Sequence, residues 1–226
     1  MKCEQILYTA THEDPEYNLR GGYAVVAKSS GIKDDLLKFL EMYHYPLDCW
    51  EHEQFHYQPY KSMLKFKGQI IYTVATTGIG HDGRHGTYHT QHFVFDEKDF
   101  DEIDYDTRRL DRFVVQMQHD VRFLPTLDVL ESPTTEITIP KIPNIQKILR
   151  ALETGKKVAI ITKYTIPIQD ILMGLVPDQR IIPWSNAVFD PVRQPAFKFV
   201  NGNQGLRYKL NYSWKIFEND HYGNNE

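Results

Sequence analysis

A series of apolar runs in the first half of the chain, rich in β-branched and aromatic residues, places the tightest constraint on its fold. Two of these runs are separated only by Lys67 and Gly68, a spacing that predicts a tight turn between neighbouring strands. The 14 Tyr and 12 Phe residues of the chain favour packed strands over a helical bundle. The predicted strands of this half are Glu4–Thr11, Gly21–Lys28, Met63–Phe66, Gln69–Thr76 and His85–Phe95.

A proline-rich segment, Glu131–Pro143, predicts an extended connector, because its three prolines are incompatible with a helix interior. Helical spacing of apolar residues predicts further elements on both sides of it, and Ser30 or Asp34 is expected to cap the first helix. The predicted helices are Asp34–Tyr43, Phe100–Gln118, Asn144–Thr154 and Pro167–Leu175, and the predicted late strands are Lys157–Thr162, Ile181–Trp184, Ala196–Val200 and Leu206–Trp214.

These elements predict an α+β fold with a mostly antiparallel β N-terminal half and a smaller α/β C-terminal half. We expect a β-rich module over residues 1–135, a smaller α/β module over 136–217 and a frayed tail over 218–226.

Composition and charge favour a globular cytoplasmic protein. The chain has 226 residues, is 41% hydrophobic and carries a net charge of −4, with no basic cluster of the kind that general nucleic-acid binding requires. Its two cysteines, Cys3 and Cys49, form no CxxC motif, and the N-terminus lacks the apolar core of a signal peptide. The apolar runs are too short for a membrane span, so we expect neither membrane nor nucleic-acid partners.

The segment from Gly78 to Phe95 concentrates the chemistry of the chain. It holds four of the ten histidines, beside Arg84 and several glycines. The pattern Gly78-x-Gly80-x-x-Gly83 matches the dinucleotide fingerprint, but the residues that follow are poor helix formers, whereas that site needs a helix N-terminus immediately afterwards. We therefore predict no nucleotide cofactor.

Strand geometry decides which of these histidines can act together. On a strand, residues two apart share a face, so His85 and His89 are expected to align with Gln91, while His92 faces the opposite way with Tyr88 and Thr90. Steps of four residues separate side chains by about 13 Å, too far for one zinc ion. A metal site would need ligands from elsewhere, and the available donors are Glu51, His52, Glu53, His56 and Asp82.

Two functional interpretations remain for this segment. The glycines offer backbone N–H groups for an anion, and Arg84 offers a bidentate contact, so we expect a binding site at Arg84, Gly86, Tyr88, His89 and His92. In an equally weighted alternative, Arg84 pairs with a carboxylate such as Asp82 or Glu97. The sequence His85-Gly86-Thr87 also matches the His-x-Thr of two-histidine phosphoesterases, but the chain has no second such motif.

An acidic run over residues 96–106 is followed by Arg108, Arg109 and Arg112. It lacks the residue order of a calcium loop, so we interpret it as a solvated helix entry with local Asp–Arg pairs.

Several of these motifs together resemble the N-terminal and middle modules of the bacterial GTPase-associated proteins. The resemblance lies in Gln5–Thr9, Arg20–Gly31, Gly83–Tyr88, His92–Phe95, Ile171–Pro177, Trp184-Ser185 and Pro195–Val200.

This resemblance implies an adaptor that acts beside GTPases and effectors in bacterial conflict systems, with no assigned catalysis. The chain differs from that pattern because no C-terminal module follows Trp214, which favours a stand-alone binding unit. Its expected partner is a protein or a small anionic ligand, and a homodimer is compatible with these features. The alternative is a histidine- or metal-dependent hydrolase of a phosphorylated small molecule, with Arg84 as the phosphate clamp and histidines as acid and base.

Overall fold

The computed structural model describes residues 1–11, 22–44, 59–79, 85–115, 121, 123–129, 141–163, 165–187 and 190–219, with only the backbone at His85 and Gly86. Within these residues the strands form one mixed sheet of 10 strands. They are β1 (Lys2–Thr11), β2 (Gly22–Lys28), β3 (Tyr60–Phe66), β4 (Gln69–Ile79), β5 (His85–Asp96), β6 (Leu127–Asp128), β7 (Lys157–Ile161), β8 (Trp184–Ser185), β9 (Phe199–Gly202) and β10 (Trp214–Glu218).

The strand order is β10-β7-β9-β8-β3-β4-β5-β1-β2, and β6 pairs with β1. Neighbouring strands from β2 to β8 run antiparallel, whereas β8, β9, β7 and β10 run parallel. The antiparallel and parallel parts meet at β3 and β8 through the pairs Ser62–Ser185 and Met63–Trp184. The sheet is therefore continuous across the two halves that the sequence distinguishes.

Helices cover both faces of the sheet. Helix α1 (Asp34–Leu40) and helix α4 (Gln204–Arg207) contribute Leu36, Leu40 and Leu206 to a core on one side, which we call the α1 face. Helices α2 (Ile145–Glu153) and α3 (Ile168–Leu172) pack on the opposite side, the α2 face. The 3-10 helices Glu97–Ile103 and Thr107–Phe113 also pack on the α2 face, and a third 3-10 helix spans Pro177–Gln179.

Most predicted elements are found within two or three residues of their expected bounds. The tight turn after β3 is confirmed, because Lys67 (φ 49°) and Gly68 (φ 79°) both adopt positive φ. Such a conformation suits a two-residue turn between twisted antiparallel strands. Helix α2 is preceded by Asn144 and is followed, after Thr154, by Gly155 (φ 71°), as the sequence predicts.

Three local predictions are wrong. The long helix expected over 100–118 is replaced, in its described part up to residue 115, by two 3-10 helices, because Asp104 and Tyr105 adopt positive φ and interrupt it. The strand expected over 206–214 is replaced by α4, a connecting segment and the start of β10. Helix α1 is preceded by Lys33 and has no side-chain cap, so neither Ser30 nor Asp34 has the expected capping role.

The structure confirms the α+β class. None of the helices in the described ranges is long and apolar enough to cross a membrane. Most of the predicted connector, residues 131–140, lies outside those ranges, as do 220–226 of the predicted tail, whereas Glu218 belongs to β10.

Candidate functional site

Strand β5 carries the histidines of the candidate site through the middle of the sheet. It pairs with β4 on one side and with β1 on the other. His92 lies opposite Thr73 of β4 and Ile6 of β1, and Ile6 belongs to the core of the α1 face. Because successive strand residues alternate in direction, Tyr88 and His92 share the α1 face, while His89 points to the α2 face. The predicted opposite directions of His89 and His92, with Tyr88 on the side of His92, are thus confirmed, whereas the alignment of His85 with His89 does not follow because a bulge interrupts the alternation between them.

A chain of hydrogen bonds joins His92 to two residues outside its strand. His44, which follows α1, places its Nδ1 3.0 Å from His92 Nε2. On the other side of the same ring, His92 Nδ1 lies 2.8 Å from Thr73 Oγ1. His92 and Thr73 are completely buried, and His44 is 6% exposed. The three side chains form one buried polar unit, and we call its two histidines, His44 and His92, the imidazole pair.

Burial keeps both rings neutral at ordinary pH. It lowers the pKa of His44 from 6.5 to about 4, because a charged imidazolium is poorly solvated there. Burial, with a smaller contribution from the charge of His44, holds the pKa of His92 well below its usual range. Two neutral rings in contact avoid the repulsion that two imidazolium ions would suffer.

Neutral rings give this chain of bonds two alternative directions. A neutral imidazole has one N–H donor and one acceptor nitrogen. If Thr73 donates to His92, then His92 donates to His44, and the Nε2 of His44 carries the remaining proton. If His92 donates to Thr73, the order reverses and the Nε2 of His44 becomes an acceptor. The unit can therefore present either a donor or an acceptor at His44, whichever a bound group requires.

A row of aromatic rings in contact leads from the imidazole pair to the edge of the sheet. The Tyr8 ring stacks on His44 with centroids 4.1 Å apart and an interplanar angle of 9°. Tyr23 of β2 stacks on Tyr8 at 5.8 Å, and the Tyr88 ring lies 6.0 Å from Tyr23. The Tyr23 hydroxyl also accepts a hydrogen bond from the backbone N–H of Tyr88. Because Tyr23 is 45% exposed, this row of rings connects the buried polar unit with solvent.

Two hydroxyls beside the imidazole pair retain hydrogen-bonding capacity. Ser62 lies opposite Thr73, and Thr90 lies opposite Tyr8, so both are on the α1 face. Ser62 Oγ and Thr90 Oγ1 are buried and have no hydrogen-bond partner among the described residues. Buried hydroxyls are normally paired, so these two atoms mark a place where a polar group would be stabilised.

On the opposite face of β5, the side chain of Gln91 has a structural role. Its amide donates to Gln5 Oε1 and to the carbonyl of Phe113, and its Oε1 accepts from the backbone N–H of Val115. His89 is buried on the same face, opposite Thr9 and Thr76. The imidazoles of His89 and His92 therefore lie on different sides of the sheet and cannot contact one group together.

The remaining predicted residues lie at the start of the strand or beyond it. Gly86 is the extra residue of a β-bulge, because Gly78 pairs with Thr87 while Ile79 pairs with His85. Arg84 lies outside the described residues, as do the other potential metal ligands His52, His56, Glu51, Glu53 and Asp82. Within the described parts of the chain, no group of three or more metal-ligating side chains occurs. Glu97, a suggested partner of Arg84, accepts from Lys65 at 2.5 Å.

Sequence reasoning missed His44 and Tyr8. His44 is 48 residues from His92 in the chain, and no local pattern connects the two. The sequence predicts a strand that contains Tyr8 but assigns this residue no role of its own. Its alternation with the buried Ile6 and its aromatic character are consistent with a place on the α1 face, but the stacking partner depends on tertiary structure.

Comparisons with known proteins give no relative. No family model, no curated protein and no solved structure matches the chain.

Proposed function

We propose that the chain is a non-enzymatic, cytoplasmic binding module, an adaptor whose binding site is the α1 face of β5. The observation that carries this proposal is the continuous path from the imidazole pair, through Tyr8, to the exposed ring of Tyr23. Tyrosine is a preferred anchor of protein interfaces, because it combines an apolar ring with a hydroxyl. The buried imidazoles would then receive a polar group of the partner.

The protonation states count against general acid catalysis by the imidazole pair. General acid catalysis needs a group that is protonated near the working pH. Burial lowers the pKa values of His44 and His92, so neither ring is a proton donor of that kind near neutrality. Cys3 offers no thiolate nucleophile either, because burial raises its pKa to about 12.

The likeness to bacterial GTPase-associated proteins supports a protein partner, which we propose to belong to a GTPase system. Tyr23 lies on β2, the last strand at one edge of the sheet in the described residues. Edge strands expose backbone groups that a partner segment can pair with. Such a segment would contact Tyr23 and direct one polar side chain toward His44.

The division into two modules, residues 1–135 and 136–217, is a further part of the proposal. It is supported by the change in pairing at β8, which runs antiparallel to β3 and parallel to β9 and joins each of them through two residue pairs. The cores nevertheless contain residues from both modules, such as Phe93 with Ile160.

A turnover screen tests the non-enzymatic character. Purified protein without a histidine tag is incubated with phosphodiester, nucleotide and peptide substrates, and its metal content is measured. We expect no turnover and no stoichiometric metal. A robust activity that His89→Ala or His92→Ala abolishes, together with stoichiometric zinc or manganese, would instead establish the histidine- or metal-dependent hydrolase.

A further inference from the structure

A second polar surface lies on the α1 face at the other end of the sheet, where β7 and β10 begin. Lys157 and Trp214 are the first residues of these strands and pair with each other. Lys198 precedes β9, and its carbonyl accepts from the N–H of Val158 at 2.8 Å. We call Lys157, Lys198 and Trp214 the lysine corner.

Two lysine side chains occupy neighbouring positions in this corner. Lys157 Nζ lies 5.5 Å from the centroid of the Trp214 ring. The pairing of Val158 with Phe199 places Lys157 and Lys198 beside each other on adjacent strands. Burial, followed by the charge of Lys157, lowers the pKa of Lys198. Like charges in contact repel each other, so this arrangement costs free energy unless a negative group lies between them.

The described residues provide no such negative group. Neither Lys157 nor Lys198 forms an ion pair with a described carboxylate. Among the described carboxylates of this half, Asp190 interacts with Lys209 and Arg193, and Glu218, at the far end of β10, pairs with Arg207. Within the described residues the two lysines therefore lack a counter-ion, a role that a bound anion would fill.

The segment that leads into β10 is rich in aromatic residues. The segment between α4 and β10 contains Tyr208 and Tyr212, which are 86% and 102% exposed. Trp214, which ends this segment, is partly buried against the core of the α1 face. Exposed aromatic rings beside basic side chains are the combination that binds a planar base together with its phosphate.

We propose that the lysine corner binds a nucleoside monophosphate or a ligand of the same chemistry, a phosphate attached to a planar ring. The phosphate lies between the ammonium groups of Lys157 and Lys198, and the ring stacks on an aromatic side chain of the 208–214 segment. This site is separate from the imidazole pair and does not depend on the binding function proposed for it.

The test is an NMR titration that follows the indole N–H signals of the tryptophans, with Trp214 assigned through Trp214→Phe. The probes are adenosine monophosphate, adenosine and inorganic phosphate. The buried Trp184 serves as the internal control. Lys157→Gln and Lys198→Gln each remove one ammonium group, and Lys147→Gln on α2 is the control that changes the net charge equally on the opposite face.

We expect adenosine monophosphate to shift the Trp214 signal saturably and to bind about tenfold more weakly to either corner variant, the size of one lost charge-assisted contact. Lys147→Gln should bind like the parent protein. Phosphate should bind more weakly than the nucleotide and compete with it, and adenosine should bind more weakly still. Because each substitution relieves repulsion, the corner variants should be at least as stable as the parent.

Three results would overturn the proposal. The first is that adenosine monophosphate leaves the Trp214 signal unchanged. The second is that the corner variants bind adenosine monophosphate as tightly as Lys147→Gln does, and the third is that Lys157→Gln or Lys198→Gln clearly loses stability. Equal affinities for phosphate and for the nucleotide would overturn the stacking of the ring.

Discussion

The central residues of this molecule are two histidines that are kept neutral by their surroundings. His44 and His92 share a hydrogen bond in a site almost without solvent, and their pKa values fall below those of exposed imidazoles. A histidine whose pKa is lower in the folded than in the unfolded state takes up fewer protons when folded. Its contribution to stability is therefore present above the unfolded pKa and is lost as the pH falls through the folded pKa.

The first prediction concerns this pH dependence. For His44, with a folded pKa of about 4 against 6.5, stability should decline as the pH falls from 6.5 toward 4, by up to roughly 3 kcal/mol. His44→Gln removes the titrating ring but keeps groups that can bond to His92, so its stability should depend less on pH. Urea unfolding of both proteins at pH 7 and pH 5 measures the difference. Equal losses of stability on acidification would show that His44 does not titrate as described.

At the scale of single elements, the turn between β3 and β4 allows the second prediction. Gly68 has φ 79° and open space around its missing Cβ, so Gly68→Ala should reduce stability by about 1 kcal/mol through backbone strain alone. Lys67→Asn, at φ 49°, should leave stability unchanged or raise it slightly, because Asn tolerates the left-handed region. Denaturant unfolding compares the two. A neutral effect of Gly68→Ala would contradict the turn geometry.

The same elements show what sequence patterns can predict. β3, β4 and β5 follow from local alternation and from a two-residue turn, and the opposite directions of His89 and His92 follow from strand geometry alone. The break between the two 3-10 helices does not follow from a local pattern, because Asp104 and Tyr105 are not residues that normally end a helix with positive φ. The pairing of His44 with His92 depends on how α1 packs over the sheet, and no local pattern contains that information.

For the acidic segment over residues 96–106, the sequence predicts the contacts correctly although it does not predict the type of helix. Asp106 receives bonds from the backbone and the guanidinium of Arg108, and Arg109 pairs with Asp104. Arg108 also pairs with Asp170 of α3. The expected Asp–Arg pairs are therefore present, and one of them extends to a helix that the sequence places in the other module.

For the molecule as a whole, the third prediction concerns the proposed connector. Limited proteolysis should cleave first within residues 131–143, because extended proline-rich segments are accessible to proteases. The two fragments should stay together under native conditions, since strands and core residues of both halves pack in one sheet. Gel filtration after cleavage measures this. Cleavage confined to 218–226, or fragments that separate at once, would contradict the proposed arrangement.

Photocrosslinking in the native host tests whether the path from His44 to Tyr23 is a protein-binding site. A photoreactive phenylalanine analogue replaces Tyr23, which is 45% exposed, or Val176, which is 58% exposed beside the 3-10 helix Pro177–Gln179. We predict one discrete protein adduct from position 23, none from position 176, and a weaker adduct from position 23 when His44→Gln is also present. No adduct from position 23, or the same adduct from both positions, would contradict the claim.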